Sequence, residues 1–278
     1  EQLEQCGAVK LPVDYPDGTN TIGLSSTVVQ WLDAEATRAL LQEVPKAYRT
    51  QINDVLLTAL AEAIGKWTGQ RQVLLDMEGH GREDLWEDLD LSRTVGWFTS
   101  VYPVLLNLEG IESLGASLKH VKEHLRSIPH GGIGYGILKY LNAAEDTEDK
   151  SKKRINAEIS FNYLGRMDHV LDENSLFAAA PEPQGKFQSE RGQRRYLLEI
   201  TMAVINGRLQ VQWNYGLLFH AKETIEGVAN EYIEALRQLI AHCRSDDTQG
   251  FTASDFSLGH LDENELGQIL NEVEFASA

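Results

Sequence analysis

The sequence predicts a mixed α/β (α+β) fold, with one mixed sheet flanked by helices. Strand-like and helix-like stretches alternate irregularly along the chain, which favours a sheet with helices packed on it. Two alternating runs, Tyr196 to Ile205 and Arg208 to Leu217, are joined by Asn206-Gly207, the strongest two-residue turn signal, so these strands pair antiparallel. Long apolar stripes at helical spacing supply the covering layer, above all Ile225, Val228, Ala229, Tyr232, Leu236, Leu239 and Ile240 within Ala221 to Cys243.

Taken in order, residues 1 to 20 read as irregular, because Pro12, Pro16, Gly18 and Asn20 interrupt regular structure. A short strand is expected at Ser25 to Leu32, then a small helix from Asp33 to about Leu41. Thr50 is a candidate N-cap for a stronger helix whose stripe is Ile52, Leu56, Ala59, Leu60 and Ile64, closed by Gly69. From Val73 the chain alternates as a strand, with Asp76 and Glu78 on one face, and then breaks into Gly79-His80-Gly81. Acids from Glu83 to Asp90 follow, interleaved with Leu85, Trp86 and Leu89, and a buried strand is expected over Val101 to Leu108. The stretch Ser113 to Arg126 carries Leu114, Leu118, Val121 and Leu125 on one helical face. A Gly-dense turn, His130 to Gly136, leads into a helix at Ile137 to Leu141. A helix precedes this turn and its spacing is not that of a P-loop, so a close-packed turn is favoured over a phosphate cradle. Residues 144 to 154 read as a solvated loop, Ala157 to Tyr163 as a strand and Asp172 to Arg195 as a polar excursion. A short helix is expected from Asp262 to Val273.

Bulk properties exclude several functions. A chain of 278 residues with 42% hydrophobic and 24% charged residues buries a sizeable core. A formal net charge of −17 argues against binding nucleic acid or an anionic membrane surface. No apolar run approaches the roughly 20 residues that span a bilayer. The opening EQLEQCGAVK is not a secretory signal. Cys6 and Cys243 are distant, Cys243 lies on a helical apolar stripe as a buried free thiol, and the setting is expected to be reducing and cytoplasmic. The absence of an initiator methionine suggests a piece of a longer protein.

Of the chemistries available, no metal site is expected, since the eight histidines are scattered and HExxH is absent. No GxSxG elbow offers a nucleophile. Asp76 and Glu78 are paired carboxylates, but nothing selects a second acid across a sugar cleft. Glu78, presented at a strand end beside a Gly-rich loop, is the better candidate as a lone general base; the plain alternative is a surface acid beside a turn. Arg82 is placed to pair with Glu78 or with Glu83.

Several strings then stand out together: Ile52-Asn53-Asp54-Val55-Leu56-Leu57-Thr58-Ala59-Leu60, Glu78-Gly79-His80-Gly81-Arg82-Glu83, Arg93-Thr94-Val95-Gly96-Trp97-Phe98-Thr99 with Tyr102-Pro103-Val104, Gly132-Ile133-Gly134-Tyr135-Gly136, and Phe161-Asn162-Tyr163-Leu164-Gly165. In this order, over about residues 20 to 243, they resemble the epimerization domains of non-ribosomal peptide synthetases, relatives of condensation domains. The EGHGRE string is the specific one, whereas RTVGWFT is shared more widely. The resemblance implies a lobe like chloramphenicol acetyltransferase, one of two facing a tunnel. It implies that the α-proton of an aminoacyl or peptidyl thioester is removed and returned on the opposite face. The substrate would hang from the 4′-phosphopantetheine arm of a peptidyl carrier protein domain, with no cofactor bound directly. Glu78 matches the family's catalytic glutamate.

Nothing in the chain matches the family's HHxxxDG motif, which belongs to the N-terminal lobe. The resemblance therefore implies a C-terminal lobe holding half of a two-base site, with residues 1–20 leading in from the N-terminal lobe, 21–245 forming the C-terminal lobe and 246–278 a linker. Arg166 stands where the family usually has glutamine. Further tunnel candidates keep structural alternatives: Asn162 as a hydrogen-bond donor to a thioester or enolate oxygen or as a partner of nearby backbone, and Tyr135 as tunnel wall or turn filler. His80 is support for Glu78 or a solvated residue, Trp97 is core or substrate contact, and Tyr163 and Arg82 complete the set. A condensation-type, amide-forming domain is one alternative function, and a non-catalytic carrier-docking lobe is another.

Overall fold

The structure is a computed structural model and describes residues 10–83, 85, 90–141, 156–167, 185, 188–245, 250–256 and 265. Cys6, the loop expected at 144–154, much of the 172–195 excursion and, Glu265 apart, the helix expected at 262–273 lie outside these residues.

Six strands, β1 (Ser25–Leu32), β2 (Gln72–Gly79), β3 (Ser100–Asn107), β4 (Ile159–Arg166), β5 (Leu198–Ile205) and β6 (Arg208–Gly216), form one sheet in the order β1-β6-β5-β4-β2-β3. The helices are α1 (Ala34–Gln42), α2 (Val44–Tyr48), α3 (Ile52–Thr68), α4 (Leu114–Ser127), α5 (Gly134–Tyr140) and α6 (Lys222–Cys243). The expected mixed sheet is present: β4 runs parallel to both β2 and β5, and the remaining pairs are antiparallel.

The β5–β6 hairpin turns where the sequence indicates. Asn206 and Gly207 adopt φ of 50° and 71°, and Ile205 pairs with Arg208. Pro103 is tolerated in β3 because that strand is the sheet edge, where a missing N–H interrupts no inner ladder. Asp33 caps α1 by accepting from the Ala36 N–H at 2.9 Å, and Ser113 caps α4 by accepting from Ala116 at 3.3 Å. The cap expected at Thr50 is displaced by one residue. Gln51 is the N-cap of α3, and its N–H donates to Asp54 Oδ2 at 2.6 Å, because an acid at the third helical position reaches back to that free donor. The helix expected at Ile137 begins three residues earlier, at Gly134.

One sheet face is apolar: Leu75, Met77, Tyr102, Val104, Ile159, Phe161, Ile200, Met202, Trp213 and Tyr215 are all buried. Helices α3 and α6 cover it, with the Trp213 and Tyr232 rings edge to face at 5.7 Å. Each such side chain contributes about 1.5–3 kcal/mol on burial. Cys243, at the end of α6, is a buried free thiol, as its position on the stripe indicates. No helix among the described residues is long and apolar enough to cross a membrane.

The other face is polar. Strand register places Asp76, Ser160, Glu199, Asn214 and Thr27 in one row across it. Residues 188–197 run over part of this face as a strap. Arg194, buried in the strap, donates to Asn20 Oδ1, Glu199 Oε2 and the Asn214 carbonyl, each at 3.0 Å. The strap thereby sets a buried guanidinium against Glu199, whose side chain is 36% exposed.

Candidate active site

Glu78 occupies the penultimate position of β2, just before the strand ends at Gly79. In the parallel β2–β4 register Met77 faces Phe161, so the next residue on each strand, Glu78 and Asn162, come side by side. Asn162 Nδ2 donates to Glu78 Oε2 at 2.5 Å. Both line a cavity of about 660 Å³ closed by the start of α3, the end of α4 and the Gly79–Glu83 loop. That volume is the size of a small-molecule site. Burial raises the Glu78 pKa above the usual carboxylate value, because desolvation disfavours the anion. Among the described residues no guanidinium or ammonium group pairs with it. A carboxylate held by one amide and no cation is a more willing proton acceptor than a salt-bridged one.

The sequence-nominated residues separate into two groups. Asn162, Tyr163 and His80 line the cavity with Glu78, His80 at its solvent side with a side chain 70% exposed. Arg82 pairs with neither Glu78 nor Glu83. Its guanidinium donates to the Leu91 and Thr94 carbonyls at 2.6 and 2.8 Å and stacks over the Phe98 ring at 4.3 Å. It thus ties the two loops together and does not line the cavity. Gly81 makes this closure possible. At φ +66° its Cβ position lies only 1.6 Å from the Phe98 carbonyl oxygen, which leaves no room for a side chain. Trp97 is neither core nor cavity wall: it is 92% exposed on the same loop, beside Val95 at 98%. An aromatic residue in a buried-looking string reads as core, but Trp97 precedes the strand, which begins at Ser100, and lies on the loop that Arg82 bonds. Tyr135 lines a separate, mainly apolar cavity of about 400 Å³ that shares the Tyr102 and Ile128 walls.

Three features of the site have weak sequence signals. Asp54, fully buried on α3, receives Arg126 of α4 in a bidentate pair at 3.0 and 2.8 Å, and both line the Glu78 cavity. An acid inside an apolar helical string is a legible anomaly; its partner 72 residues away is not. Tyr102 is packed directly on Gly132, whose φ is +78° and whose Cβ position lies 2.2 Å from the ring. Gly132→Ala combines left-handed strain with overpacking and is expected to lower unfolding stability by about 2–4 kcal/mol in urea titrations. A loss below about 1 kcal/mol would show that the ring is free to move. The third is the pairing of Asp76 with Arg195 and Tyr196 behind Glu78, at 2.7 and 2.8 Å. Among the described residues no group of three or more His, Cys, Asp or Glu side chains is placed to hold a metal ion.

Comparison with known proteins supplies the context of this site. The family described as "Condensation domain" matches residues 1–261. A linear gramicidin synthase of Brevibacillus parabrevis is 46% identical over 260 residues, covering 93% of this chain and 5% of that protein. The mycosubtilin synthase of Bacillus subtilis is 43% identical over 272 residues, covering 96% of this chain and 10% of that protein. Among solved structures, the epimerization domain from the third module of tyrocidine synthetase B superposes with a TM-score of 0.77 at 36% identity, over 86% of this chain and 53% of that one. The chain thus spans a small part of the curated relatives it matches and about half of that solved domain.

Proposed function

The chain belongs to the condensation-domain family, whose members include parts of non-ribosomal peptide synthetases, and from that premise we propose that it is one lobe of an epimerization domain. In this reading it inverts the α-carbon of an aminoacyl or peptidyl thioester presented on the phosphopantetheine arm of a carrier protein. The observation that carries the reading is Glu78: a partly desolvated carboxylate, paired with no cation among the described residues, beside Asn162 in a cavity of small-molecule size. The 36% identity to an epimerization domain supports it, and so does the EGHGRE string around the glutamate.

The chemistry follows from placement. The Glu78 carboxylate takes the α-proton; the Cα–H electron pair moves into the thioester as an enolate, with the negative charge on the former carbonyl oxygen. A proton then returns to the opposite face of the α-carbon from a second group. One base on one wall returns the proton to the face it came from, so inversion requires that second group on another wall, which this reading assigns to the N-terminal lobe of the longer protein. In this reading the second lobe covers the open side of the cavity, and the exclusion of water between the two walls keeps the enolate from random protonation and strengthens each polar contact to it.

The test uses the full-length protein. A carrier domain loaded with an α-tritiated L-aminoacyl group is expected to release tritium into water, and hydrolysis of the thioester is expected to yield both enantiomers. Amide-bond formation with an acceptor and no tritium release would assign condensation instead, and carrier binding with neither reaction would leave a docking lobe.

A further inference from the structure

We infer that Arg195 and Tyr196, held on Asp76 by the strap, are positioning residues that set the proton affinity of Glu78. The inference deepens the reading of Glu78 as a base, and rests on that reading only for its consequence in turnover.

Asp76 and Glu78 lie two residues apart on the same face of β2, about 6.5–7 Å along the strand. Asp76 is nearly fully buried, and a bare anion at the neighbouring same-face position of the strand disfavours a second anion at Glu78. The strap answers this locally. Asp76 Oδ2 accepts from Arg195 Nη2 at 2.7 Å and from the Tyr196 hydroxyl at 2.8 Å, and the guanidinium lies 5.0 Å from the Tyr196 ring centre. The strap thus brings successive arginines to two acids of the polar face, Arg194 to Glu199 and Arg195 to Asp76. Glu78 receives none. Its neighbourhood is therefore tuned through Asp76 and not by direct pairing.

The other groups facing Glu78 do not duplicate this role. Asp54 and Arg126, from α3 and α4, are paired with each other. Glu83 and His80, from the loop after β2, lie 3.6 Å apart. Asn162 and Tyr163 of β4 and Tyr102 of β3 are uncharged; burial pushes the Tyr102 phenol up to about 12, and burial followed by the Asp76 bond raises Tyr196 further. Arg195 is consequently the one cation that balances Asp76 among the described residues. Its side chain is 55% exposed, so its charge can be removed with little loss of packing.

The experiment is a carbon-13 titration of the glutamate side-chain carboxyls of this chain, with the Glu78 signal assigned by its disappearance in Glu78→Gln. Arg195→Gln is expected to move the Glu78 midpoint up by about 0.5–1 pH unit, an estimate for one unbalanced charge at that distance with solvent screening. Arg195→Lys restores the charge and is expected to return the midpoint towards that of the unsubstituted chain. Tyr196→Phe, which removes one bond to Asp76 and keeps the ring, is expected to give a smaller upward shift and remains informative if Arg195→Gln loosens the strap. An unchanged midpoint in both Arg195→Gln and Tyr196→Phe overturns the inference, as does an Arg195→Lys shift equal to that of Arg195→Gln. Tritium release from the full-length protein is scored separately. A moved midpoint without any exchange sustains the linkage and overturns the epimerase reading, whereas exchange with an unmoved midpoint does the reverse.

Discussion

Glu78→Gln in the full-length protein is expected to lower α-proton exchange by about 10²–10⁴-fold, the range that a positioned general base contributes. The substitution keeps the volume of the side chain and an oxygen able to accept from Asn162, so the cavity wall is conserved. Only the ability to take a proton is lost. Carrier binding should therefore be unchanged while turnover collapses, and retention of full exchange would remove Glu78 from the mechanism. The same substitution has an opposite effect on stability. Desolvation raises the Glu78 pKa in the folded chain above 4.5. A raised folded pKa means that the favourable contribution is present below the unfolded value and is lost as pH rises through the folded one. Above that range the anion is held at a cost, so Glu78→Gln should melt slightly higher than the unsubstituted chain at neutral pH and lose that advantage in acid. Catalysis and stability pulling apart at one residue is the behaviour expected of a group kept for chemistry.

The sequence makes the local devices of this fold readable and hides its long-range neighbours. Asn206-Gly207 specifies both the turn and the register of β5 against β6, because both residues accept positive φ. The apolar stripe of α6 is legible because 22 residues repeat one face. The placement of β4 between β2 and β5 is different. Alternation identifies the two faces of a strand but not the strands beside it, so the Asn162–Glu78 bond, 84 residues apart, follows only from the parallel register. The strand end before Gly79-His80-Gly81 makes Glu78 a candidate base with a plain surface acid as its alternative, and the EGHGRE string, through the resemblance it carries, nominates it for catalysis. Trp97 misleads for a related reason: Val95 and Phe98 beside it in sequence suggest a buried strand, whereas it lies on an exposed loop whose Leu91 and Thr94 carbonyls accept from Arg82. Arg194 and Arg195 read as the end of a polar excursion and Tyr196 as the start of a strand, whereas the strand begins at Leu198, and only the sheet beneath these residues gives each side chain its partner.

The second large effect is expected far from Glu78. Lys122 on α4 is 1% exposed, and its ammonium donates to Asp255 Oδ1 at 2.7 Å and to the Tyr48 carbonyl at 2.8 Å. Asp255 belongs to the short segment 250–256, which packs against α4 through Ser254 on Glu123 and places Phe251 under Arg49. A sequence stretch with weak apolar character is thus fastened to the lobe by one buried ion pair and its surrounding bonds. Asp255→Ala leaves a desolvated ammonium with a single carbonyl partner and is expected to cost about 3–5 kcal/mol in urea unfolding, the range for breaking a buried pair from one side. Lys122→Met with Asp255→Ala removes both charges and is expected to recover most of that loss, so the double variant should be more stable than the Asp255→Ala single variant. The opposite order would mean that the segment detaches and water reaches Lys122. Acid provides an independent check. Burial alone would raise the Asp255 pKa, but the Lys122 and Thr252 hydrogen bonds outweigh it and hold it below 3.8. A depressed folded value means that the pair stabilises fully above the unfolded pKa and is lost as pH falls through the folded one. The unsubstituted chain should therefore lose more stability between about pH 4 and pH 2 than the double variant does. Equal acid slopes would show that the pair contributes nothing net, leaving packing of Phe251 and the Ser254 bonds to hold the segment in place.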